Sequence, residues 1–162
     1  MGRFTLKACF FALILLFMAC SGESFKSLSG ENYIFSYNGF EKKLKLNNKN
    51  ENFILAFFTK ECGVCKEQIQ ILQALLKKYD FKIFVVLGDA KNLNDAKIWA
   101  SKKDLNLPLF YEKNSVKYLS SAVGGIYGVP VLSFFKNSKM SEKFIGLTSY
   151  KILENELKKF GI

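Results

Sequence analysis

The stretch "FILAFFTKECGVCKEQIQILQALLKKY", Phe53 to Tyr79, leaves little freedom in how the chain around it folds. Phe53–Phe58 is a continuous apolar run, which suits a central strand covered on both faces. Cys65, Ile69, Leu72, Leu76 and Tyr79 then step by four, three, four and three, which is one face of a helix. A buried strand passing directly into an amphipathic helix is the building unit of an α/β fold. Two cysteines, Cys62 and Cys65, stand at the junction.

The pattern continues along the chain. "NYIFSYNG", Asn32 to Gly39, reads as a strand entering a turn. Lys42 to Asn52 is polar, with Leu44 and Leu46 alternating, and reads as ending in a loop. Phe81–Gly88 is a second buried strand, Asn92–Asp104 a helix, and the region near Leu109 a short extended piece before a helix around Val116–Ala122. Val129–Phe135 is a third apolar strand; "KNSK", Lys136 to Lys139, turns it back into Met140–Gly146. A last helix begins near Ser149, with Tyr150, Leu153, Leu157 and Phe160 on one face. Strands joined through helices imply a parallel core, and the hairpin is expected to add an antiparallel edge. With 162 residues and no internal repeat, one domain is expected.

Arg3 and Lys7 followed by the uncharged run Ala8–Ala19, twelve residues, read as an export signal. The run is too short for the roughly 20 residues a membrane-spanning helix needs. It ends in "LLFMAC", which resembles a bacterial lipobox whose lipidated residue would be Cys20; Phe17 stands where Leu is usual. Ordinary cleavage near this point and an uncleaved anchor are the alternatives. The expected division is a signal over 1–19, a flexible Ser/Gly-rich tether over 20–30, and a folded domain over 31–162. The expected location is exported, on the periplasmic or cell-surface face, with the chain held to the membrane by lipid on Cys20.

The formal charge is +10, and removing Arg3 and Lys7 leaves +8. Arg3 is the only Arg, whereas nucleic-acid proteins rely heavily on Arg forks. The scattered lysines read as a solvated surface with a weak pull toward anionic lipid, and no nucleic-acid partner is expected. The chain has no His, which removes Ser-His-Asp and Cys-His catalysis and the commonest zinc ligand.

Cys9 lies inside the signal, and a lipidated Cys20 has no free thiol, so Cys62 and Cys65 remain. Two thiols without His do not make a zinc site unless carboxylates or a second chain contribute, and no metal is expected. A bridge across two residues closes too small a loop to stabilise much. What so short a loop provides is two sulfurs that can meet without backbone movement, in an exported location where disulfides form.

The Phe53–Phe58 strand, "TKECGVCKEQ" opening a helix, and "YGVP" entering a strand with Pro130 placed 68 residues after Cys62 together resemble the thioredoxin superfamily over about residues 31–162. The extra length before Val129-Pro130 resembles its exported, membrane-tethered TlpA/ResA-like branch. The resemblance implies a three-layer α/β fold with a central mixed sheet flanked by helices. It also implies a thiol–disulfide oxidoreductase that needs no cofactor beyond the Cys62–Cys65 disulfide. Its partners would be exported proteins bearing disulfides and a membrane electron donor or other redox partner. A reductant in the style of cytochrome c maturation proteins is the favoured version. A disulfide oxidase or isomerase, and a non-catalytic thioredoxin-fold binding lipoprotein, are the alternatives.

By the same resemblance the Val129-Pro130 bond is cis and Val129 offers its backbone to substrate. Gly63 and Val64, between the sulfurs, tune the redox poise. The family's buried Asp on the preceding strand falls at Ala56, so that acid is missing; Glu67 is a candidate substitute, but an early helix Glu is read first as a solvated surface residue. Glu61 stands where the family has Trp. Independently of the family, a helix N-terminus stabilises a thiolate. Cys62, before the first turn, is therefore the expected nucleophile, and Cys65, deeper, the resolving thiol. Lys60 and Lys66 would favour the Cys62 thiolate and Glu61 would oppose it.

Overall fold

The computed structural model describes residues 22–161. The elements run β1 (Glu23–Lys26), β2 (Asn32–Asn38), β3 (Lys43–Leu46), β4 (Phe53–Phe58), α1 (Cys65–Leu76), β5 (Lys82–Leu87), α2 (Leu93–Lys102), β6 (Leu109–Phe110), α3 (Lys113–Ala122), β7 (Val131–Lys136), β8 (Lys139–Ile145) and α4 (Tyr150–Lys158). They build one mixed sheet in the order β1-β2-β3-β8-β7-β4-β5-β6. β4, β5 and β6 are parallel, and β7 runs antiparallel to β4.

All six residues of β4 are buried, because both faces of the sheet are covered there. On one face Ile54, Ala56 and Phe58 pack with residues of α1, α2 and α4, among them Cys65, Ile69, Trp99 and Leu153. On the other, Phe53, Leu55 and Phe57 pack beneath α3 and the first three strands. That second layer is therefore partly β-structure rather than helix alone. Phe35 of β2 lies edge-on to Phe53, Phe84 and Phe110 at centroid distances of 5.6 to 6.4 Å.

The structure differs from the sequence reading in three places. Glu23–Lys26, placed in the flexible tether, is strand β1, paired with β2 and burying Phe25. The folded part thus begins before residue 31; the segment 1–21, with Cys9 and Cys20, lies outside the described residues. Leu44 and Leu46, read as part of a loop-ending segment, belong to β3, whose inward positions they fill. The β7–β8 hairpin is not an edge: β7 lies between β4 and β8, and β8 meets β3 through Lys43 opposite Lys139. Its two-residue turn, Asn137 and Ser138, has φ of 50° and 66°, which matches the twist of the flanking strands.

Candidate active site

β4 delivers the chain to the sheet's C-terminal edge, and α1 starts after a short turn that carries Cys62. Cys62 and Cys65 are joined in a disulfide, with their Cα atoms 5.3 Å apart. Cys65, the first residue of α1, is 1% exposed and packs in the core, while Cys62 is half-buried at the surface. No side chain caps the start of α1, so the positive end of the helix stays open beside Cys62.

Val129-Pro130, at the entry to β7, is a cis peptide bond. The Val129 carbonyl oxygen lies 3.8 Å from Cys62 Sγ. Gly63 and Val64 lie between the sulfurs and are exposed, and nothing stands within 4 Å of where a Gly63 Cβ would be.

Three further segments hold this pair of loops. The Gly146 N–H donates to the Pro130 carbonyl at 2.8 Å. Two residues on, the Thr148 N–H donates to Gln68 Oε1 at 2.7 Å, and Gln68 Nε2 donates to the Thr148 carbonyl at 3.3 Å. Gln68 is fully buried in α1, one turn from Cys65. From β8, Lys143 Nζ donates to the Val123 and Gly125 carbonyls at 2.9 and 2.8 Å. A cation at the C-terminal end of α3 suits that helix's dipole. It also fixes the chain that leads to Val129. Gly124 and Gly125, with φ of 77° and 88°, make the turn out of α3, conformations a side chain would strain.

Lys60 is held by a partner on α2, and Glu67 takes the solvated position read for it from the sequence. Lys60 Nζ pairs with Asp95 at 2.7 Å, and this bond raises the Lys60 pKa and lowers that of Asp95. Its charge is therefore committed to α2 instead of to Cys62. Glu67 is exposed on α1, and Ala56 is fully buried in the cluster that holds Cys65. Among the described residues no group of His, Cys, Asp or Glu could hold a metal ion. Gln68 and Lys143 were not singled out from sequence. Gln68 did leave one signal, a polar residue on the helical face of Cys65, Ile69 and Leu72. Lys143 left none, since its partners lie 18 and 20 residues away.

Many solved structures resemble this one in fold. A thioredoxin-family thiol:disulfide interchange protein from Chlorobium tepidum matches with a TM-score of 0.60 at 17% identity, covering 86% of this chain and 93% of its own. The exposed lipoprotein thioredoxin of Streptococcus pneumoniae matches with a TM-score of 0.65 at 16% identity, over 86% and 99%. StoA of Bacillus subtilis matches with a TM-score of 0.61 at 17% identity, over 88% and 99%.

The chain has the thioredoxin fold.

Against family models, residues 36–107 match the F plasmid transfer operon protein TraF, a span that takes in the dicysteine of this thioredoxin fold and stops short of Val129-Pro130. No curated protein matches the sequence.

Proposed function

We propose that the protein is an exported, lipid-anchored thiol–disulfide oxidoreductase working through Cys62 and Cys65. The observation that carries this reading is the disulfide itself. It joins a half-buried and a buried sulfur at an uncapped helix start, against the backbone of Val129. The solved structures of similar fold include interchange proteins and one lipoprotein, which supports the reading by likeness of fold.

In the reducing direction the cycle begins from the dithiol. The Cys62 thiolate attacks one sulfur of a client disulfide. A Cys62–client bond forms, the client's own S–S bond breaks, and one client thiolate leaves. The Cys65 thiolate then attacks Cys62 Sγ, forming the Cys62–Cys65 bond and releasing the second client thiolate. The client gains two electrons and the protein ends in the disulfide form. An external dithiol from a redox partner restores it. Val129 and Pro130 present backbone to an extended client segment. Val64, Tyr127, Ile145 and Leu147, exposed by 42 to 94%, surround this place in the sequence of loops and suit an unfolded, partly apolar client. Gly63 and Val64 set the poise. We assign the direction as reduction of exported proteins, with cytochrome c maturation a role of this kind; a midpoint near the −120 mV of strong oxidants would instead assign oxidation.

A Cys65→Ser variant tests the reading in cells. It should accumulate mixed disulfides between Cys62 and exported proteins that collapse on reduction. A variant that traps none, while folding as the parent does, removes the proposed activity.

A further inference from the structure

Phe40 is 98% exposed, the most exposed large apolar side chain among the described residues, and no contact in the fold explains it. It stands in the β2–β3 turn, where the Phe40 and Glu41 N–H groups donate to Asn38 Oδ1 at 3.0 and 3.1 Å. The turn is therefore a defined structure that projects its aromatic ring into solvent. Lysines surround it. Lys42 lies in the turn, and Lys43 and Lys45 point outward from β3, whose inward positions are Leu44 and Leu46. Glu41 pairs with Lys43 at 2.9 Å, whereas Lys42, Lys45 and Lys49 carry no salt bridge among the described residues.

The direction of β1 connects this surface to the proposed anchor. β1 is antiparallel to β2, with Glu23 opposite Phe35, so towards its start β1 runs along β2 in the direction of the turn. A Cβ on Gly22 would sit 2.4 Å from Ser36 Oγ, and Ser36 lies opposite Lys45. Gly22 is thus packed tightly on β2, and only Ser21 separates it from Cys20, a reach of about 7 Å over two Cα steps. A lipid on Cys20 leaves the domain no long tether. With that lipid in place, the surface beside Gly22 would be held close to the bilayer.

We propose that the β2–β3 turn docks on the bilayer, with the Phe40 ring in the interface and Lys42 and Lys45 on anionic headgroups. An exposed aromatic ring flanked by lysines has the chemistry of that interface, apolar inward and positive toward the lipid phosphates. Lys43, opposite Lys139, marks the end of the β7–β8 hairpin remote from Pro130 and Cys62. Docking at this surface therefore leaves the disulfide facing clients. The inference rests on the lipid-anchored reading above, and the two are tested separately.

The full chain carrying Phe40→Trp is reconstituted in phosphatidylglycerol vesicles with brominated acyl chains, with the parent protein as reference for Trp99. The emission added at position 40 should shift to the blue and lose most of its intensity. The quenching should weaken in phosphatidylcholine vesicles, at high ionic strength and after Lys42→Glu with Lys45→Glu. Emission at 40 that stays unshifted and open to an aqueous quencher overturns the docking. So does protection that appears only in membranes isolated from cells and not in protein-free vesicles, which would assign the turn to a protein partner. Fractionation of the parent and Cys20→Ser proteins reads the anchor. Quenching at 40 with fractionation unchanged by Cys20→Ser keeps the docking and removes the lipid; anchoring through Cys20 with an unquenched position 40 does the reverse.

Discussion

Gln68 is a neutral polar side chain at a position that helical periodicity reserves for the core, and both ends of its amide are used by Thr148. Replacing it with Leu keeps the volume but strands a buried N–H and C=O on the loop that braces Pro130. The expected loss is about 1–3 kcal/mol, read as a lower urea midpoint. Ala56 makes the opposite point. It is fully buried, and Ala56→Asp, which would place an acid where the thioredoxin superfamily that the sequence resembles carries one, buries a carboxylate with no partner. That variant should unfold at a clearly lower temperature than the parent. Gly63 is free of such limits, since its Cβ position is empty. Gly63→Ala should leave the melting temperature within a degree or two of the parent, as surface substitutions do, and any change in redox midpoint can then be read as tuning. At this scale the two cysteines and the Val129-Pro130 pair were legible in the sequence. These are local signals. The Lys60–Asp95 pair and the Gln68–Thr148 clamp span 35 and 80 residues, and no local pattern encodes them.

Among the elements, α1 and α4 are tied at the far end from the disulfide. Glu154 accepts from Lys78 Nζ and Tyr79 Oη, both at 2.7 Å. The Lys78 bond, and then the Tyr79 bond, hold the Glu154 carboxyl down to about 2 from its usual 4.5. A folded-state pKa below the unfolded one gives stability that is complete above about pH 4.5 and lost as pH falls toward 2. The melting temperature should fall over that window, and Glu154→Gln should flatten the fall. The first three strands form a second such unit. Phe35 is fully buried among Phe53, Phe84 and Phe110, so Phe35→Ala should cost about 3–5 kcal/mol in denaturant unfolding. β1 was hidden by Ser and Gly, which read as a tether, and the short β3 by the polar residues around Leu44 and Leu46. Both strands acquire their place from the aromatic face that β2 lays on the sheet, a contact between distant segments.

For the whole molecule, the α/β class and the strand–dicysteine–helix unit were legible because each rests on an unbroken periodic run. The interior place of the β7–β8 hairpin was not, since strand order depends on which edges find partners. The fold brings the N-terminal half of α1, the cis-Pro loop and the Gly146–Thr148 loop together at one edge of the sheet, and the proposed activity depends on what the disulfide there does. Equilibration with dithiol–disulfide buffers, followed by thiol alkylation and mass measurement, gives its midpoint directly. A redox centre predicts a reversible two-electron titration between about −270 and −120 mV, the range of catalytic dithiols. A midpoint below about −300 mV, where structural disulfides lie, would contradict it.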